Sequence, residues 1–307
     1  MIRGRTPTNY ASAPVARGND MYDDILLPFD GSDGAAAVLS HAADLARFAD
    51  ATVHVLFVAD TSRDSVTVID GETVDALAQK GETVVTEAAE TLAAAGVDHE
   101  TDVVQGNPAP AIVEYAERAA HDLVVMPTQG REGVSRYLLG SVSEKVVRLS
   151  SVPVLTARMR PDELLTFPYE DVLIPTDGSP AATDAVEHGL RLAASLDATV
   201  HGVSVVDEST FGPDDHVLSA GREAVAEDAL DDLAAAATEH GVSTVERHVE
   251  RGAPVEAIVD QIRTNGAHAV VMGTTGRRGT ERVLLGSVAE QTVRSAPVPV
   301  VTVRGGE

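Results

Sequence analysis

The chain contains one sequence unit twice, and this repeat constrains its fold more than any other feature. The segment at 24–32, DILLPFDGS, recurs at 171–179 as DVLIPTDGS, and the tetrapeptide ATVH at 51–54 returns unchanged at 198–201. Two later matches keep nearly the same offset: Gly106-Asn-Pro108 with Gly252-Ala-Pro254, and Leu138–Val142 with Leu284–Val288. Ordered self-similarity at one period indicates a duplicated structural unit. We therefore predict two copies of one domain within the 307 residues.

The repeat also sets the expected domain boundaries. We predict a first domain over residues 21–158, a proline-containing linker over 159–169 and a second domain over 170–304. Residues 1–20 carry arginines, prolines and small polar residues without the apolar run of a secretion signal, so we expect a disordered tail. Met21 begins the first patterned segment and is an alternative start of translation.

Within each copy, short runs of Val, Ile and Leu alternate with longer amphipathic stretches, a pattern typical of a parallel sheet with crossover helices. One buried helical face in the first copy is predicted from residues spaced three and four apart: Val74, Leu77, Gly81, Val85, Ala88 and Leu92. Strands in that copy are predicted near 24–29, 51–58, 99–105, 122–127 and 152–157. Each copy is thus predicted to be an α/β unit, a five-stranded doubly wound parallel sheet with helices on both faces.

Charge and composition exclude several classes of protein. Acidic residues outnumber basic ones 48 to 23, so the formal charge of −25 repels a phosphate backbone and argues against nucleic-acid binding. The absence of cysteine excludes disulfides, thiolate zinc sites and cysteine nucleophiles. No apolar run is long enough to span a bilayer. We expect a salt-adapted, halophilic, cytoplasmic protein, and the alternative is an ordinary acidic soluble protein.

Two segments of each copy are expected at the carboxyl edge of the sheet, where ligands bind in open α/β folds. The first segment is the turn after the opening strand, Asp30-Gly-Ser32 in one copy and Asp177-Gly-Ser179 in the other. Its carboxylate could accept hydrogen bonds from ribose hydroxyls or an adenine amine. The alternative is that this aspartate simply caps the following helix.

The second segment follows the fourth strand and spans residues 273–287 in the second copy. It is rich in glycine, which allows close approach to phosphate, and its end opens a predicted helix whose free amides favour an anion. Arg277, Arg278 and Arg282 against Glu281 make it locally basic in an acidic chain. A solvated, glycine-rich surface loop is the alternative interpretation.

Together these segments resemble the universal stress protein family, whose nucleotide signature is matched by Gly273, Gly276, Gly286 and Ser287. The resemblance extends over about residues 21–304 as a tandem pair. It implies a Rossmann-like sheet of strand order 3-2-1-4-5 in each copy. It also implies a bound adenine nucleotide, ATP with or without magnesium, and pairing through the last strand. The pairing would be an intramolecular pseudo-dimer of the two domains, and a homodimer is an additional expectation.

The resemblance implies that both copies contain the residues with which the family binds its nucleotide. In the second copy they are Pro175, Asp177, Val205, Met272, Gly273, Gly276, Arg277, Gly286, Ser287 and Val288. In the first copy they are Pro28, Asp30, Val58, Met126, Gly130, Arg131, Gly140, Ser141 and Val142. Where the signature requires its first glycine, the first copy has Pro127, which lacks an N–H and fixes φ. We therefore predict tighter nucleotide binding in the second copy.

No catalytic or metal-binding residue is predicted. Walker lysine, His-Glu-x-x-His and Gly-x-Ser-x-Gly motifs are absent from the sequence, and no general base is evident. His41 and His188 recur on the first helix and His54 and His201 on the second strand; we interpret them as structural because no second ligand stands at metal spacing. Beside nucleotide binding for stress signalling or protection, two functions remain open: a nucleotide-independent interaction module and a weak ATPase.

Overall fold

The computed structural model describes residues 21–60, 66–69, 72–128, 139–158, 165–207, 216–274 and 285–305. The predicted tail and most of the predicted linker lie outside these ranges. So do residues 129–138 and 275–284, and with them four predicted site residues: Gly130, Arg131, Gly276 and Arg277.

Alternating strands and helices form the first domain, as the sequence pattern indicates. Its elements are β1 (Asp24–Pro28), α1 (Asp33–Ala49), β2 (Thr52–Asp60), β3 (Val66–Ile69), β4 (Glu72–Asp75), α2 (Ala76–Ala94), β5 (His99–Gly106), α3 (Pro108–Arg118), β6 (Leu123–Pro127), α4 (Ser141–Leu149) and β7 (Val154–Ala157). β3 and β4 form a separate antiparallel hairpin, and the other five strands lie parallel in the order β7-β6-β1-β2-β5.

The second domain repeats this plan without a described hairpin. Its elements are β8 (Asp171–Pro175), α5 (Pro180–Leu196), β9 (Thr199–Val206), α6 (His216–Glu239), β10 (Val245–Arg251), α7 (Pro254–Asn265), β11 (Ala269–Gly273), α8 (Ser287–Ser295) and β12 (Val300–Val303). The strands are parallel in the order β10-β9-β8-β11-β12. Numbered within each domain, both orders are 3-2-1-4-5, as expected.

The hairpin corrects one sequence prediction. Val74 lies on strand β4 and not on the helical face to which it was assigned, because the helix begins only at Ala76. The rest of the predicted face is helical, and Val85, Ala88 and Leu92 on it are buried. Gly81 on the same helix lies so close to β2 that an added Cβ would stand 2.6 Å from Cδ1 of Phe57.

The last strands of the two domains pair with each other, so the chain forms one ten-stranded sheet. β7 and β12 run antiparallel, with Leu155 opposite Val301 at the centre of the register. Both strands are fully buried. This seam between the domains is reinforced symmetrically, since the Thr156 hydroxyl donates to the Val300 carbonyl and the Thr302 hydroxyl to the Val154 carbonyl, both at 3.2 Å.

Two tyrosine–histidine pairs, one buried and one partly buried, also cross between the domains. The hydroxyl oxygen of Tyr22, just before β1, lies 2.9 Å from Nε2 of His188 on α5. The hydroxyl oxygen of Tyr169, just before β8, lies 2.6 Å from Nε2 of His41 on α1. Each tyrosine hydroxyl therefore contacts the first helix of the opposite domain. Tyr169 is 1 % exposed, so the final residue of the predicted linker belongs to the core.

No helix among the described residues is both long enough and apolar enough to cross a membrane.

Candidate functional site

The turns after β1 and β8 lie at the carboxyl edge of the sheet and have the same geometry. Oδ1 of Asp177 accepts the backbone N–H of Ser179 at 3.0 Å, and Oδ1 of Asp30 accepts that of Ser32 at 3.0 Å. The intervening glycine has a positive φ in both turns, a conformation that favours glycine. Each turn therefore holds a half-buried carboxylate at the mouth of the sheet.

The serine of each turn, and not the aspartate, caps the following helix. Oγ of Ser179 accepts the N–H of Ala182 and Oγ of Ser32 accepts the N–H of Ala35, both at 3.2 Å. The interpretation of the aspartate as the helix cap is therefore wrong, because the cap position lies two residues further along the chain. The aspartate is held by an Asx turn, a motif that orients its carboxylate.

Helices α4 and α8 begin at the same edge without a side-chain cap. In α8 the first intrahelical bond runs from the Glu290 N–H to the Gly286 carbonyl, so the amides of Ser287, Val288 and Ala289 have no carbonyl acceptor within the helix. Such a helix start attracts an anion through its N–H groups and its dipole. Ser287 is exposed, and so is its counterpart Ser141 at the start of α4.

One predicted backbone donor is already engaged within the protein. The Gly286 N–H donates to the Thr274 carbonyl at 2.7 Å, and the Gly140 N–H donates to the Thr128 carbonyl at 2.7 Å. Gly286 and Gly140 therefore position the helix start, and their amides donate within the protein.

An apolar cluster adjoins each of these turns. In the second domain, Val205 on β9, Met272 on β11 and Val288 on α8 belong to one cluster. In the first domain the equivalent residues Val58, Met126 and Val142 share another. The structure thus joins three predicted site residues from three separate elements in each domain.

Two further predicted residues, Pro28 and Pro175, end strands β1 and β8, where they pair with Leu56 and Val203. Both are half-buried. Each is separated by one residue from the aspartate of its Asx turn. The predicted residues that the structure describes therefore converge on one edge of each domain.

The first domain has Pro127 at the position where the second domain has Gly273. Gly273 ends β11 opposite Val303, and Pro127 ends β6 opposite Ala157. Gly273 is not among the glycines of positive φ, so its backbone does not require the left-handed region. The proline in the first domain therefore removes an N–H and adds local bulk at a position where neither residue has a left-handed backbone.

Comparison with known proteins agrees with this architecture. The model of the universal stress protein family matches residues 21–158 and again residues 168–304. The chain belongs to the universal stress protein family.

Relatives match the chain either over one domain or over most of both. A universal stress protein of Methanocaldococcus jannaschii is 36% identical over 141 residues, which cover 44% of this chain and 82% of that protein. One from Mycolicibacterium smegmatis is 29% identical over 214 residues, 68% of this chain and 70% of its own. The crystal structure of a universal stress protein from Archaeoglobus fulgidus superposes with a TM-score of 0.68 and 26% identity, covering 94% of this chain and 99% of that one.

A feature of this universal stress protein that sequence reasoning missed is the packing of two leucines across the boundary between the domains. Leu139, just before Gly140 of the first domain, packs in the cluster that holds Met272 of the second domain. Leu285, just before Gly286, packs both against that cluster of its own domain and against the cluster that holds Met126 of the first domain. Sequence could have shown that both positions are apolar, but this packing depends on how the domains dock.

Proposed function

We propose that this universal stress protein binds an adenine nucleotide, ATP or a close relative, at the carboxyl edge of each domain and more tightly in the second. The observation that carries the proposal is the convergence of three chemically different features in one place. These are the oriented carboxylate of Asp177, the uncapped start of α8, and the apolar cluster of Val205, Met272 and Val288.

These features fit the three parts of a nucleotide. Valine and methionine side chains offer the apolar surface on which a base is buried. A carboxylate accepts hydrogen bonds from ribose hydroxyls, and free amides at a helix start bind phosphate. Ser287 would add a hydroxyl donor beside those amides, since it is the first residue of α8 and is exposed. Magnesium would be brought by the phosphates of the nucleotide.

We propose that the bound nucleotide acts as a signal through its occupancy. The Gly286 N–H donates to the Thr274 carbonyl, and Leu285 beside it packs against clusters of both domains. A ligand held at the start of α8 would favour one arrangement of these residues and so change the surface offered to partners. The leucine contact provides a physical route by which occupancy of one domain affects the other.

The first test is to purify the protein at high salt, denature a sample and identify the released nucleotide. The second is to titrate folded, nucleotide-free protein with ATP by calorimetry in millimolar magnesium. We expect adenine nucleotide to be recovered and ATP to bind in preference to GTP. Failure of both measurements would contradict nucleotide binding and favour the interaction module. Gly276→Val should weaken binding, with Gly130→Val as the matched change in the first domain.

An exchange of residues tests why the second domain should bind more tightly. Gly273→Pro removes one N–H at a position whose counterpart already holds proline, so we expect the fold to persist and affinity in the second domain to fall to that of the first. Pro127→Gly should raise affinity in the first domain. If Gly273→Pro leaves binding unchanged while the melting temperature also stays constant, this residue does not distinguish the two sites.

A further inference from the structure

A cluster of three potential metal ligands lies far from the proposed nucleotide site, toward the amino end of the sheet in the second domain. It contains His201 on β9 with Glu246 and His248 on β10, and one potential ligand atom from each lies within 4.8 Å of the others. Glu246 pairs directly with His201 in the strand register, and His248 follows two residues later on the same face. The cluster is thus built by two adjacent parallel strands.

The distances within the cluster suit a small tetrahedral ion. Nδ1 of His201 lies 3.4 Å from Nε2 of His248 and 3.5 Å from Oε2 of Glu246, and the third separation is 3.9 Å. Ligand atoms bound tetrahedrally to zinc at about 2.0 to 2.1 Å stand about 3.4 Å apart. Two of the three separations therefore match that spacing before any side chain moves.

A carboxylate outside the cluster orients its buried histidine. Oδ1 of Asp171 lies 3.0 Å from Nε2 of His201, whose side chain is 5% exposed. When Nε2–H of His201 donates a hydrogen bond to Asp171, Nδ1 of the same ring carries the lone pair and faces Glu246 and His248. Metal-binding histidines in proteins are typically held by such a carboxylate partner.

The first domain supplies a natural comparison. His54 is oriented by Asp24 at 2.7 Å and lies 3.6 Å from Glu100, so the histidine–carboxylate pair is repeated. At the position of His248, however, strand β5 has Asp102, whose carboxylate accepts the N–H of Val103. Among the residues that the structure describes, only the second domain brings three potential ligands this close together.

We propose that His201, Glu246 and His248 bind one divalent transition-metal ion of the zinc class, with a fourth position open to water. Two imidazole nitrogens and one carboxylate oxygen form a ligand set of the kind that holds zinc with one open position. Glu246 is exposed, so an ion can enter from solvent, and the surrounding carboxylates favour a cation. Because β10 is an edge strand of the sheet, the ion would also fasten that edge to β9.

The interpretation of His201 as solely structural rested on the absence of a second ligand at metal spacing, and that premise is wrong for this residue. The partners stand on a strand 45 residues further along the chain. Only the register of β9 with β10 brings them together, and sequence spacing does not show that register.

The test is a titration of untagged, metal-free full-length protein with Zn²⁺ in the presence of excess Mg²⁺, which occupies carboxylate-only sites. We expect one tight Zn²⁺ per chain and a Zn²⁺-dependent rise in melting temperature. His248→Gln and Glu246→Gln, both at non-buried positions, should each remove that binding event. Asp171→Asn should weaken it about 10- to 100-fold, as expected for an orienting partner.

Matched variants in the first domain are the controls, because they change equivalent strand positions outside the proposed metal site. Asp102→Asn and Glu100→Gln alter the equivalent strand positions and should leave Zn²⁺ stoichiometry and affinity unchanged. Co²⁺ gives a second readout, since a four-coordinate ion absorbs visibly and His248→Gln should abolish that absorption. Wild-type affinity in both His248→Gln and Glu246→Gln, or an equal loss in the first-domain variants, would overturn the proposal.

Discussion

At the scale of single residues, the duplicated domains show which positions depend on their neighbours. Gly189 on α5 lies against Ile174 of β8, and an added Cβ would stand 2.7 Å from Ile174 Cδ1 and 3.2 Å from Val271 Cβ. In the first domain the equivalent pair is Ala42 and Leu27, both fully buried. The second domain therefore pairs a smaller helix residue with a β-branched strand residue, where the first domain pairs alanine with leucine.

We predict that Gly189→Ala destabilises the protein by about 1 to 2 kcal/mol, because overpacking in a dense core outweighs the gain in helix propensity. Adding Ile174→Leu, the residue of the first domain, should recover part of that loss. Gly221→Ala is the control, since nothing lies within 4 Å of its added Cβ, and it should stabilise by about 0.5 to 1 kcal/mol. Urea denaturation of the wild type, these three variants and Ile174→Leu alone measures this, and additive effects of the two core changes would contradict direct packing.

The two histidines that contact tyrosines at the domain interface predict acid sensitivity. Burial lowers the pKa of His41 from 6.5 to about 4, with a smaller opposing effect from Asp44. Burial also lowers the pKa of His188 to about 4, assisted by Arg191. The unfolded chain therefore binds more protons than the folded chain between those values, and stability falls as pH falls from 6.5 toward 4.

We expect each histidine to cost about 2 kcal/mol of stability between pH 7 and pH 5. His188→Gln should remove about half of this pH dependence, because His41 still titrates whereas glutamine does not and can still bond to the Tyr22 hydroxyl. Denaturation at both pH values in 1 M salt measures the difference, with His240→Gln as a partly exposed control. A wild-type pH slope in His188→Gln would show that this histidine is not the titrating group.

At the scale of elements, periodicity predicted most of the fold, and its failures have physical causes. All five strands predicted for the first domain exist with small shifts at their ends. The hairpin of β3 and β4 was missed because its residues also fit the helical spacing, so Val74 was assigned to the wrong element. Residues of the candidate site were predictable where a turn or a strand end fixes them, as at Asp177 and Met272.

The seam between β7 and β12 makes a prediction about amide exchange. Both strands are paired on each side, β7 with β6 and β12, and β12 with β11 and β7. The outer strands β5 and β10 are paired on one side only. Amides of residues 154–157 and 300–303 should therefore exchange as slowly as those of β1 and β8. Exchange as fast as in the outer strands would mean that the domains separate readily in solution.

At the scale of the whole molecule, the family resemblance implied pairing through the last strand of each domain, and the structure pairs β7 with β12. The sequence could not indicate the tyrosine–histidine contacts between domains or the packing of Leu139 and Leu285 across their boundary. Those contacts depend on the angle and register of docking, which residue types alone do not determine. The features that join the domains were therefore less predictable than the features within each domain.

The formal charge of −25 acts on the whole molecule at once. Folding brings the carboxylates closer together than they are in the extended chain, so their mutual repulsion opposes folding at low ionic strength. The Debye length falls from about 10 Å at 0.1 M salt to about 3 Å at 1 M, which removes most repulsion between separated surface charges. The same screening weakens exposed ion pairs, but each of these contributes little.

We therefore predict that the melting temperature at pH 7 rises by several degrees between 0.1 and 2 M salt, by similar amounts in NaCl and KCl. The steepest rise should come below 1 M, where the Debye length changes most. Sucrose at matched osmolarity is the control, because it strengthens burial through exclusion from the surface without screening charge. A flat salt profile, or an equal rise in sucrose, would show that charge repulsion does not limit the stability of this protein and would contradict salt adaptation.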